Sequence, residues 1–156
     1  MAIDKVQAVL TAAGLRCQVQ VLPSSARTAQ EAADAIGCPV ARIAKSLLFK
    51  RARSDGPVLV IASGVNRVDV AKLEAALGEP VGKADADYVR AQTGYAIGGV
   101  PPIAHARAIE TYLDEDLFGF ASVWAAAGSP FSVFEIAPVD LERLSSGRRI
   151  QIAQSQ

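Results

Sequence analysis

Ile43-Ala44-Lys45-Ser46-Leu47-Leu48-Phe49 reads as a buried strand with one cation set into it. Side chains alternate along a strand, so Lys45 shares a face with Ile43, Leu47 and Phe49. A lysine is almost never fully buried without a partner, because desolvating its ammonium is costly. Two readings stand. Lys45 borders a ligand pocket, or it lies near a strand end and snorkels out to water or to a carboxylate.

Outward from this strand, a polar turn at Ser54-Asp55-Gly56 leads into a second apolar run, Val58 to Ala62, and the two predict a hairpin. Upstream, Thr28-Ala29-Gln30-Glu31 is a capping box that starts a helix ending at Gly37, with Pro39 beyond. A first helix is expected over Ile3–Ala13 and a short strand over Cys17–Leu22. Downstream, Asp69 caps a helix through Leu77, and a further helix is expected over Ala86–Ala91. Gly94 to Pro102 is too rich in glycine and proline for a regular element. Strands are expected near Ile109–Leu113, Ser122–Ala126, Phe131–Ile136 and Arg149–Ile152, with helices around Asp116 and over Val139–Leu144. Strands and helices alternate irregularly, and some neighbouring strands are joined by tight turns. That pattern predicts an α+β fold, one compact domain over residues 1–156, with a mixed sheet rather than a doubly wound parallel one.

Composition narrows the function. The 16 basic residues balance 16 acidic ones, so no global field draws nucleic acid or an anionic membrane. A local patch remains: Arg42, Lys45, Lys50, Arg51 and Arg53 fall in a stretch without a carboxylate until Asp55. Cys17 and Cys38 are too few for a disulfide framework, no secretory leader or membrane-length apolar run is visible, and the expected location is the cytoplasm.

The chemistry narrows too. With a single histidine, His105, and two distant cysteines, no zinc spacing is recognisable, and neither a metal nor another cofactor is expected. The chain has no nucleophile elbow, no Gly-x-x-x-x-Gly-Lys loop and no Gly-x-Gly-x-x-Gly fingerprint. His105 follows the proline-rich loop, where it either borders a pocket or makes a local hydrogen bond. In Thr93-Gly94-Tyr95-Ala96-Ile97-Gly98-Gly99-Val100-Pro101-Pro102, the paired glycines let main-chain N–H groups point into space, and the prolines stiffen the exit. Such a loop is either a rigid connection or an oxyanion hole.

Five segments in order resemble the YbaK/EbsC family of aminoacyl-tRNA deacylases, relatives of the editing insertion domain of bacterial prolyl-tRNA synthetase. They are Thr28 to Ala33, Ile43 to Phe49, Gly64 to Leu73, Gly94-Tyr95 through Gly98-Gly99-Val100-Pro101-Pro102, and Val123 to Gly128. The resemblance implies a partly barrel-like mixed sheet flanked by helices. It also implies hydrolysis of the ester between a wrong amino acid and the terminal ribose of a tRNA. Alanine, cysteine, serine or threonine on tRNA for proline is the expected substrate. Lys45, Gly98 and Gly99 match the catalytic positions. Thr28, Ser46, Val100, Pro101, His105 and Gly128 are expected at the substrate, and Phe131 stands where many relatives carry histidine. Arg42, Lys50, Arg51 and Arg53, with Arg148 and Arg149 as further candidates, are expected to meet the tRNA. No protein nucleophile is implied; the ribose hydroxyl of the tRNA helps place the water. The expected partners are mischarged tRNA and prolyl-tRNA synthetase or another synthetase. A non-catalytic tRNA- or synthetase-binding module is the alternative, and DNA binding is disfavoured because no helix carries a basic recognition face.

Overall fold

A long hairpin is the spine of the computed structural model, which describes residues 2–155. Its arms are Ile43–Arg51 and Pro57–Ser63, paired antiparallel in the register Lys45 to Ala62 and Leu47 to Val60. Six further strands complete the sheet. Numbered in chain order they are β1 Gln20–Val21, β2 and β3 for the hairpin, β4 Val81–Lys83, β5 Glu110–Asp114, β6 Val123–Ala126, β7 Ser132–Ile136 and β8 Arg148–Ile150. The order is β1-β7-β6-β2-β3-β5-β8, with β4 pairing β2 as well. β2 runs parallel to β6, β3 to β5 and β5 to β8, whereas the other ladders are antiparallel. The sheet is therefore mixed and the fold α+β, as the irregular alternation predicts. It stays open, with β1 and β8 at its ends, so the curvature does not close a barrel.

β3 is buried on both faces, which explains its unbroken apolar run. On one face Leu59 and Ile61 meet Val6 and Leu10 of α1 (Ala2–Ala12) and Leu141 of α5 (Pro138–Ser145). On the other, Val58, Val60 and Ala62 pack with Leu73 of α3 (Val70–Leu77). The helix α2 (Ala29–Ile36) starts as its capping box dictates: the Glu31 N–H donates to the Thr28 hydroxyl, while the Glu31 carboxylate accepts from the Thr28 N–H. Its Ala32 and Ala33 pack against Ile43. The helix α4 spans Ala86–Thr93 and leads into the glycine-rich loop.

Two expectations change, and one strand has no counterpart in the sequence reading. The strand expected over Cys17–Leu22 shrinks to two residues, because only Gln20 and Val21 find a partner in β7. The helix expected around Asp116 is a short 3-10 helix, Glu115–Gly119, capped by the Asp114 carboxylate. β4 has no local signature: Val81-Gly82-Lys83 becomes a strand because β2 offers it an edge.

Candidate functional site

The site is a gap in the sheet. Along the edge of β2 that faces away from β3, β6 pairs only with Ile43 and Ala44, and β4 only with Phe49 to Arg51. Between them the strands diverge, and a cavity of about 540 Å³ opens onto the uncovered middle of β2. Its wall includes Lys45 to Leu48, the segment Ala26 to Ala29 that leads into α2, Trp124 to Ala126 of β6, and Ile97, Gly98 and Val100 of the glycine-rich loop. No aspartate or glutamate lines it, while Arg27, Lys45 and Lys83 do. The charged side chains of the lining are therefore all cationic, and any acceptors it offers are main-chain carbonyls and hydroxyls.

Lys45 is half-buried, and its Nζ lies 3.5 Å from the Gly64 carbonyl oxygen. Gly64 has to be glycine, since a Cβ there would meet the Val40 carbonyl oxygen at 2.5 Å. Behind the turn sits Asp114, only 1% exposed. Its carboxylate accepts from the Ser63 N–H at 3.0 Å, the Asn66 side-chain amide at 2.7 Å and the Asp116 N–H at 2.9 Å. Burial pushes the Lys45 ammonium below the ordinary lysine value; Arg67 adds to that, and Asp114 opposes it.

Of the residues expected at the substrate, Thr28, Lys45, Ser46, Gly98 and Val100 line the cavity. Gly99, Pro101, His105, Gly128 and Phe131 are not among its lining residues. Gly99 is buried against the Ser129 main chain, where a Cβ would approach to 2.8 Å, and its N–H donates to the Ala96 carbonyl at 3.1 Å. The Gly99 N–H is therefore spent inside the loop; Gly98 and Val100 border the cavity instead. Gly98 has φ of +94° and packs against the Arg27 stem. His105 Nε2 lies 2.7 Å from the Pro101 carbonyl, so it donates, and burial holds the imidazole toward its neutral form. That bond ties the loop exit together. Gly128, with φ of +106°, turns the chain from β6 toward β7.

The cations divide differently from the linear patch. Arg42 pairs with Glu135 at 3.0 Å, and Arg51 with Glu79 at 3.3 Å and Glu110 at 2.8 Å. Lys50 lies 3.8 Å from Asp55 and over the Tyr88 ring. The Arg53 main chain bonds Glu79. Arg149 is clamped by Glu142 at 2.6 Å and covers Phe118, and Arg148 lies over Tyr112. Arg27 and Lys83, which sequence reading passed over, are exposed at the cavity and form no ion pair among the described residues. No local signal marks either one; only the convergence of α2 and β4 on the gap does.

Comparison with known proteins gives a consistent picture. The family model of the aminoacyl-tRNA editing domain matches residues 23–144. "Uncharacterized protein YwhH" of Bacillus subtilis is 34% identical over 145 residues, covering 93% of this chain and 92% of that protein. An Enterococcus faecalis protein named "Putative Cys-tRNA(Pro)/Cys-tRNA(Cys) deacylase EbsC" is 28% identical, covering 83% of this chain and 79% of its own. Among solved structures, one described as "a putative trans-editing enzyme for prolyl tRNA synthetase" superposes with a TM-score of 0.92 at 40% identity, covering 99% of this chain and 98% of that one. Another, "hypothetical protein APE2540", gives 0.89 at 27% identity, covering 96% of this chain and 99% of that one.

Proposed function

This chain belongs to the aminoacyl-tRNA editing domain family, and from that premise we propose that it is a trans-acting deacylase for mischarged tRNA. Its substrate is a small amino acid esterified to the terminal ribose of tRNA for proline. Water attacks the acyl carbon, the bond to the ribose oxygen breaks, and one water proton ends on that oxygen. The amino acid leaves as its carboxylate, and the second water proton passes to solvent.

One observation carries this reading. A half-buried ammonium shares an acid-free cavity with uncovered main chain from β2 and the glycine-rich loop. In it, Lys45 contacts the acceptor end, and the N–H of Gly98 or Val100 meets the oxygen on which negative charge develops. An ester asks little more than positioning and oxyanion stabilisation. The proline and small-amino-acid assignment draws support from the names of the Enterococcus protein and of the trans-editing neighbour. A panel of tRNAs for proline, each charged with alanine, serine, threonine or cysteine, tests it directly. Ester loss above the spontaneous rate for at least one is expected; none for any would remove the proposal and leave a binding module.

Two variant sets follow. Arg27→Gln and Lys83→Gln should each lower the salt dependence of tRNA binding by about one phosphate contact. Arg51→Gln should leave that slope unchanged, because its charge is already neutralised by Glu79 and Glu110. Binding isotherms across a salt series separate the two outcomes. Gly99→Ala should lower kcat/KM by about 10- to 100-fold, because the Ser129 main chain cannot yield and the loop must shift. Gly119→Ala, with open space around its Cβ, should match the parent in the same assay.

A further inference from the structure

The uncovered stretch of β2 presents more than a wall. The Gly64 N–H donates to the Ile43 carbonyl, and the Arg51 N–H donates to the Gly56 carbonyl. Ile43 and Arg51 thus direct their main chain toward β3, and so do the odd-numbered residues between them, since the direction alternates along an antiparallel strand. Ala44, Ser46, Leu48 and Lys50 point the other way. Ala44 is met by β6 and Lys50 by β4. Ser46 and Leu48 fall between the two ladders, with their N–H and C=O groups directed into the gap and no pairing strand there. Both residues line the cavity. The Ser46 hydroxyl is also the buried side-chain polar atom that finds no hydrogen-bond partner among the described residues. A buried hydroxyl left like this is rare, and strand-edge N–H and C=O groups without a pairing strand are open to a ligand or water.

An aminoacyl ester brings one group that seeks acceptors, its α-ammonium. The cavity lining has no carboxylate to receive it, and its charged members are all cations. Lys45 points to the opposite face of β2 from Ser46 and is drawn toward the Gly64 carbonyl, so its own charge is led away from the gap edge. Main-chain carbonyls must serve instead, and those of Ser46 and Leu48 are directed into the gap with no pairing strand.

Resting on the deacylase reading, we infer that this gap edge holds the α-ammonium of the aminoacyl group, and that the substrate must therefore carry a free amine. Esters whose nitrogen is acylated, the class to which peptidyl-tRNA belongs, are rejected. Acylation removes the charge and two of the three donors. It also adds bulk beside the nitrogen that the gap edge would hold.

The test compares three esters on one proline acceptor-stem microhelix: alanyl, N-acetylalanyl and lactyl. The lactyl group matches alanyl in size but has a hydroxyl in place of the ammonium, so it separates loss of charge from added bulk. Each enzymatic rate is divided by the spontaneous rate of that ester, because an α-ammonium activates its own ester. The alanyl ester should be turned over, and both analogues should fall by about 10- to 100-fold in this ratio, the range for a hydrogen bond to a charged group. The same three acyl groups are built on serine, with glyceryl as the hydroxyl analogue, if serine proves the better substrate. Equal ratios for the free-amine and hydroxyl esters would overturn the inference while leaving the deacylase standing. Turnover of none of the free-amine esters would overturn both, and the pattern tells the two failures apart.

Discussion

Lys45→Met should abolish most of the turnover of mischarged tRNA while leaving the protein at least as stable as its parent. The two effects have one cause. Burial holds the Lys45 ammonium below the ordinary lysine value, so in the unfolded chain the same group binds its proton more tightly. Below the folded pKa, where the group is charged in both states, that difference counts against folding. Methionine keeps the unbranched stem against β2 and removes the charge, so the penalty disappears. Turnover moves the other way. Without its ammonium contact the acceptor end is no longer held against the donors of the loop, and misplacement of a reacting group costs about 100-fold. Single-turnover ester loss and a thermal melt, run on the same preparation, check both. A variant that lost stability together with activity would make Lys45 a structural residue. Unchanged turnover would remove it from the mechanism.

How far a sequence exposes such a site depends on whether its signals are local. Lys45 declares itself because a cation in an apolar strand is anomalous wherever that strand ends up. The capping box that sets Thr28 at the cavity is equally local, four adjacent residues whose geometry follows from their chemistry. The cavity itself is not local. It exists because β4 and β6, from distant parts of the chain, take opposite ends of one strand edge and leave its middle bare. Nothing in Val81-Gly82-Lys83 foretells this, and Lys83 is missed with it. The basic run from Arg42 to Arg53 misleads for the complementary reason. Its neutralising partners, Glu79, Glu110 and Glu135, are remote in sequence and adjacent only in the fold. In the loop, paired glycines suggest two free N–H groups, but close packing on Ser129 uses Gly99 as a spacer and leaves Gly98 at the cavity.

The sharpest test of the electrostatics behind Lys45 lies outside the cavity, in a pair of substitutions that should move one pH limb in opposite directions. If Lys45 acts as an ammonium, activity falls as pH rises through its folded pKa, which burial and Arg67 depress and Asp114 supports. Arg67→Gln removes a depressing charge, so the alkaline limb should move to higher pH. Asp114→Asn removes the supporting charge, so it should move to lower pH. Arg67 is exposed, and its effect should fade in high salt; Asp114 is buried, and its effect should persist. The second variant also loses stability. Oδ2 accepts from both the Ser63 N–H and the Asn66 amide, and Oδ1 from the Asp116 N–H. Whichever way an amide is turned, its NH₂ faces a donor, at a cost of about 1–3 kcal/mol for each partner left unpaired. Stability alone cannot imitate the result. A merely loosened fold lowers activity at every pH, whereas the charge on Asp114 displaces the limb. Rates measured across the alkaline range, corrected for spontaneous ester hydrolysis, decide between them. Limbs that stay together in both variants would mean that the Lys45 charge does not govern the reaction.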